Sequence, residues 1–152
     1  MKETKTVAFA LSVILFGVSN LNGAFAEGSV DLKKVARGNP LEINRAFDER
    51  ARSDGAAFEE IDIAIGETIR KNPKAFLEAY RAHQPIIRLD SLVGNLGPDF
   101  VDEFKKQEIE VKGRISVLKK VKEPSLQPAA KACIAELERL QKMIQGILKV
   151  KH

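Results

Sequence analysis

The chain is poor in the side chains on which most functional sites are built. Its 152 residues include one cysteine, two histidines, one tyrosine and no tryptophan. The lone thiol, Cys133, forms no internal disulfide, so stability has to come from packing. Zinc lacks a ligand set with only His83, His152 and Cys133 on offer. No H-E-x-x-H and no Gly-rich phosphate loop is present, and any Ser triad would hang on His83 alone. We therefore expect no catalytic residue, no metal and no cofactor, and a protein that is not an enzyme.

Carboxylates are the remaining candidates for catalysis. Glu59, Glu60, Asp62 and Glu67 share one segment, and Asp99, Asp102 and Glu103 share another. A carboxylate pair can hydrolyse glycosides, but the aromatic platforms for a sugar are missing. Charge on amphipathic helices accounts for the same residues, so a small carboxylate hydrolase ranks last. Nucleic acid is also excluded as a partner, because no aromatic residue beyond Phe104 is left to stack on bases. No alternating β-branched run and no hairpin dipeptide between strand patterns occurs, so no sheet is expected.

What is present begins with an address. Lys2 and Lys5 precede an apolar run from Val7 to Val18, then a polar break at Ser19–Gly23, then Ala24-Phe25-Ala26. This is the order of a secretory signal peptide cleaved after Ala26. The apolar run is too short for the roughly 20 residues that cross a bilayer. Residues 1–26 are read as a cleaved leader, 27–38 as a lead-in with a helical turn over Val30–Ala36, and 39–152 as one all-α domain with no transmembrane segment. The destination is a periplasm or the exterior.

The most regular stretch lies near the end. Leu126, Ala130, Cys133, Leu137, Leu140, Ile144 and Ile147 alternate steps of four and three, the period of a helix with one narrow stripe on a partner. Its expected partner spans Pro98 to Val121, with Val101, Phe104, Val111, Ile115 and Leu118 inward, Glu108 in one slot and Ile109 beside it. Asp99, Asp102 and Glu103 would fill its first turn. Pro124 stops that helix and Ser125 caps the next. Residues 98–150 are thus expected as a long antiparallel hairpin, the wall on which the rest packs.

Earlier in the chain, Asn39-Pro40 and Asn72-Pro73 are strong helix starts, the side chain capping the first amides and proline taking the first turn. The first start opens a helix to about Arg52 with Leu41, Ile43, Ala46 and Phe47 inward. Phe58, Ile61, Ile65 and Ile69 mark a second face, widened by Ile63 and Ala64 and interrupted by Gly66, a candidate for close helix contact. The second start opens a helix carrying Phe76, Leu77 and Tyr80. Pro85 ends it and opens a short one with Ile86, Leu89, Val93 and Leu96. The expectation is about six helices in antiparallel hairpins, as a short HEAT-like α-solenoid or an irregular bundle, closed by the long hairpin.

Two surfaces stand out. The Gly94–Phe100 turn cluster is a candidate recognition loop, with Asn95, Leu96, Asp99 and Phe100 as its residues. Charge is uneven: residues 27–104 hold eleven Lys or Arg against fifteen Asp or Glu, and residues 105–152 hold twelve against five. Lys112, Lys119, Lys131, Arg139, Lys142 and Lys149 form a candidate basic surface on the last two helices. The expected function is an exported, non-enzymatic protein-interaction module, with a periplasmic binder or inhibitor of another protein as one form. The alternative is peripheral binding to an anionic membrane or polymer through the basic hairpin. Self-association stays open, because the same stripe serves an internal hairpin or a dimer.

Overall fold

A computed structural model describes residues 29–84 and 88–150. Residues 1–26, expected as a leader, and Pro85, Ile86 and His152 lie outside the described residues. Those described are all-α: seven helices and two 3-10 turns, with no strand among them.

The helix starts follow local chemistry. Asp31 Oδ1 accepts from Lys34 N at 3.1 Å and opens α1 (Leu32–Ala36). Asn39 Oδ1 accepts from Leu41 N and Glu42 N at 3.0 and 3.2 Å and opens α2 (Pro40–Arg50). Asn72 does the same for α4 (Pro73–His83) through Ala75 N at 3.2 Å, and its Nδ2 donates to Gly38 O at 2.9 Å. The two Asn-Pro starts therefore meet in space. Gly38, at φ +84°, is needed there, because a Cβ would lie 2.9 Å from that of Asn72. Between them runs α3 (Gly55–Lys71), entered through Asp54 without a side-chain cap.

The second half comprises α5 (Leu89–Gly94), a 3-10 turn over Pro98–Phe100, α6 (Phe104–Leu118), a second 3-10 turn over Pro124–Leu126, and α7 (Gln127–Val150). α6 and α7 form the expected antiparallel hairpin, but it starts at Phe104 and not at Pro98. Gly97 at φ +91° and Asp102 at φ +61° leave helical space on either side of the 3-10 turn, which breaks the run. Asp99 and Asp102 are thus outside the helix, and Glu103 is its N-cap residue. Ser125 does not cap α7. It sits in the 3-10 turn, where its carbonyl accepts from Arg81 Nη1 at 3.1 Å.

The core joins both halves, from Val35, Ile43, Phe47, Ile65 and Ile69 through Phe76 and Leu77 to Leu118, Leu126, Cys133, Leu137 and Ile144. Its hub is α3 and not α7: α3 packs on α1, α2, α4, α5 and α6, whereas α7 rests on α6, α5 and α4. The reason is that α3 buries Asp62, Gly66 and Thr68 along with its apolar face, so neighbours surround most of its circumference. Gly66 permits this closeness, since a Cβ there would meet Arg114 Nη1 at 3.0 Å, Asn95 O at 3.1 Å and Leu92 O at 3.3 Å.

Leu41, Val101 and Ile147, expected to face inward, do not, and Ile109 does not cover the slot beside it. Leu41 is 75% exposed, because Ile43, Ala46, Phe47 and Arg50 define the inner face of α2 and Leu41 lies on the opposite side. Val101 lies in the loop and is 68% exposed. Ile109 points away from the hairpin seam and leaves Glu108 uncovered. That slot is satisfied by polar contacts, Gln145 Nε2 and Lys112 Nζ both reaching Glu108 Oε1 at 2.8 Å. Ile147 is partly exposed near the far end of α7, and Leu140 is half-buried against α5 beside Gly94. Cys133 is wholly buried, and desolvation pushes its thiol up to about 12.

Candidate functional site

A cleft of about 290 Å³ opens between α3, α6 and the loop that joins α5 to α6. Leu96 and Phe100 form its apolar wall, and Glu67, Arg70, Lys71, Glu110 and Arg114 its polar wall. Leu96 and Phe100 are legible in the sequence through the loop that holds them, whereas Arg70, Glu110 and Arg114 read there as ordinary surface charge.

Arg114 is the anchor of this site. It lies on the inward face of α6 with Val111, Ile115 and Leu118, and is 1% exposed. Its Nε donates to Glu110 Oε1 at 3.1 Å, one helical turn away. Its Nη1 donates to Val93 O at 2.9 Å and Asn95 O at 3.4 Å, tying α6 to the end of α5 and the start of the loop. Burial pulls the guanidinium pKa below its usual value, partly offset by Glu110. Among the described residues Nη2 makes no hydrogen bond, yet no fully buried side-chain nitrogen or oxygen lacks a partner there. Nη2 therefore reaches open space, and the open space that Arg114 lines is the cleft.

Glu110 is shared. Its other oxygen, Oε2, accepts from Arg70 Nη1 at 3.1 Å. Arg70 can lie there because position 113 is glycine: a Cβ on Gly113 would fall 1.9 Å from Arg70 Nη1. Two guanidinium groups thus divide one carboxylate. A charged residue in step with Val111, Ile115 and Leu118, together with glycines inside two helices, was the signal in the sequence that a close polar contact sits here.

The candidate loop is ordered from beneath. Asn95 Oδ1 accepts from Gly97 N at 3.1 Å, and Gln107 Nε2 donates to Phe100 O at 2.7 Å. Leu96 is buried, Phe100 is half-buried, and Asp99 is exposed. The loop turns outward Asp99, Val101 and Asp102, of which only Asp99 was named among its candidate residues.

The basic residues divide. At 100° per residue, Lys131, Lys142 and Lys149 fall within about 20° of one another over about 27 Å of α7. None of the three makes an ion pair among the described residues. Lys112 on α6 pairs with Glu108, and Lys119, the C-cap residue of that helix, reaches across the hairpin to Glu138 Oε1 at 3.2 Å. Arg139 turns about 80° off Lys131 on α7 and is held by Glu136 at 3.0 Å.

His83 is packed into the structure. It stacks on Phe47 with ring centroids 5.2 Å apart, and its nitrogens face Ala79 O at 2.8 Å and Asp48 Oδ1 at 3.0 Å. Of the carboxylates weighed for hydrolysis, Asp62 is buried against Arg50, and no cluster of three metal-ligating side chains occurs among the described residues. No helix among them is long and apolar enough to cross a membrane. No protein-family model, curated protein or solved structure matches this chain.

Proposed function

We propose that this protein is an exported, non-enzymatic helical module that binds another protein, with the loop from Asn95 to Asp102 as its recognition element. The observation that carries this reading is Val101. It stands 68% exposed between the carboxylates of Asp99 and Asp102, on a backbone braced by Arg114 and Gln107. A lone exposed valine is ordinary, but here it sits beside Asp102, a non-glycine residue at φ +61°. Such a conformation costs of order 1 kcal/mol or more, and such residues gather where a loop must present a set shape. Export rests on the leader at 1–26. For the architecture, an irregular bundle is the better reading, since α3 touches five other helices while a stacked solenoid limits each unit to its neighbours.

The full chain, tagged at its C-terminus, would be used to capture proteins from a native exported fraction, with Val101→Asp and Asp99→Ala in parallel. One protein retained in stoichiometric amount at low and moderate salt, and lost with Val101→Asp, supports the reading. Retention that ignores both substitutions refutes the role of the loop.

The lysine face favours a second reading, peripheral binding to an anionic surface. Lys131, Lys142 and Lys149 line up without counter-ions among the described residues. Binding of this kind fades steeply with salt. Sedimentation with anionic vesicles at low salt only, abolished by reversing these three charges, is its signature.

A further inference from the structure

We propose that the cleft between α3 and α6 binds a small monocarboxylate with an apolar body, held by Arg114 and Arg70 and resting on Leu96 and Phe100. Three observations converge on this chemistry. The walls of the cleft carry Arg70, Lys71 and Arg114 against Glu67 and Glu110, leaving one positive charge in excess. The carboxylate nearest the two guanidiniums is already divided between them, Oε1 to Arg114 and Oε2 to Arg70. Arg114 also keeps two unused donors on Nη2, at a residue only 1% exposed. Donors of a cation that face a cleft favour an anionic acceptor, and a carboxylate supplies both the acceptor and the missing charge.

Geometry narrows the ligand. Arg114 is only 1% exposed, so it is assigned one oxygen of the ligand. The second oxygen goes to Arg70, whose Nε and Nη2 make no hydrogen bond among the described residues. Leu96 and Phe100 make the opposite wall apolar, which asks for a hydrophobic body behind the carboxylate. Glu67, exposed and without a hydrogen bond among the described residues, stands at the cleft and disfavours dianions. The site does not depend on the loop having a protein partner.

The test is NMR titration of the full chain with 3-phenylpropionate, with 3-phenylpropanamide as the uncharged isostere and sulfate as a bare anion. The acid should shift the Leu96 methyls and the Arg70 and Arg114 side-chain N–H signals. The amide and sulfate should bind at least about tenfold more weakly, the loss of one charge-assisted contact. N-acetyl-Gly-Phe and its amide separate two sources of the same group: a bound peptide acid admits peptide ends, and its exclusion restricts the site to free acids. Arg70→Gln leaves Arg114 and Glu110 matched one to one, so it should weaken the acid about tenfold without lowering the Tm. Arg114→Lys keeps the charge but removes the fork, and should also lose the acid. Equal binding of acid and amide, no binding of either, full affinity in Arg70→Gln, or shifts confined to Lys131, Lys142 and Lys149 would each overturn the proposal.

Discussion

Arg50 and Arg114 are both buried, 6% and 1% exposed, yet their charges are handled differently. Arg50 meets Asp62 through both arms of the fork, Nε to Oδ1 and Nη2 to Oδ2, the latter at 3.2 Å. Ser91 Oγ accepts at 3.4 Å, and the Phe58 ring lies 4.4 Å from the guanidinium carbon. One carboxylate serves one cation, between α2, α3 and α5. Arg114 divides Glu110 with Arg70 and opens onto a cleft. Each guanidinium has one terminal nitrogen without a hydrogen bond among the described residues, Nη1 of Arg50 and Nη2 of Arg114, so free donors do not separate them. What separates them is that Arg50 has a carboxylate to itself, whereas Arg114 shares Glu110 with Arg70 and lines the cleft, which is why the ligand is placed there and not at Arg50.

The largest way to break this contrast is Asp62→Asn, which leaves Arg50 buried without a counter-charge. We expect a loss of about 3–5 kcal/mol in urea unfolding. A loss below about 1 kcal/mol would mean water replaces Asp62 beside Arg50. Leu137→Ala calibrates a purely apolar loss in the same core and should cost about 2–5 kcal/mol by thermal melt. An unmoved Tm would place the α7 stripe outside the core.

Glu110→Gln should cost less, about 1–3 kcal/mol, because that side chain is 21% exposed and water reaches the released guanidiniums. Equal losses for Asp62→Asn and Glu110→Gln would erase the distinction between the two arginines. The glycines sharpen it further. Gly66→Ala pushes against Arg114 Nη1 at 3.0 Å and against two backbone oxygens, and should destabilise by about 1 kcal/mol despite the better helix propensity. Gly113→Ala meets only the half-exposed end of Arg70, so the melt should hold or rise while the acid site is disturbed.

The smallest effect is at the hairpin seam. Lys112 first, and Gln145 second, hold the Glu108 carboxyl below its ordinary 4.5. A depressed acid stabilises the fold fully above that ordinary value and loses its contribution as pH falls through the lowered one. Far-UV melts of wild type and Glu108→Gln should therefore differ near neutral pH and converge in acid. Parallel curves across the range would show that the seam contact is immaterial.

Much of the scaffold was legible from local signals. Asn39 and Asn72 cap where they stand because the interaction spans three residues. Ile61, Ile65, Ile69, Ala130, Cys133 and Leu137 are buried because helical period alone puts them on one face. Phe100 and Leu96 were reached through the loop that contains them. The other half of the cleft was not, since Arg70, Glu110 and Arg114 read as solvated charge on helices. Leu41, Val101 and Ile109 misled for the converse reason: an apolar side chain reads as inward until its neighbours are known.

By itself the sequence determined what depends on near neighbours along the chain: all-α character, the starts of α2 and α4, the α6–α7 hairpin, and the poverty of catalytic groups. Only the tertiary structure decided that α3 is the hub, that the two Asn-Pro starts touch, that Arg50 is paired and that Arg114 has donors to spare. Those facts depend on contacts between residues far apart in the chain, such as Arg50 with Ser91, 41 positions away. Helical period specifies which face a residue occupies, and packing alone specifies what that face meets.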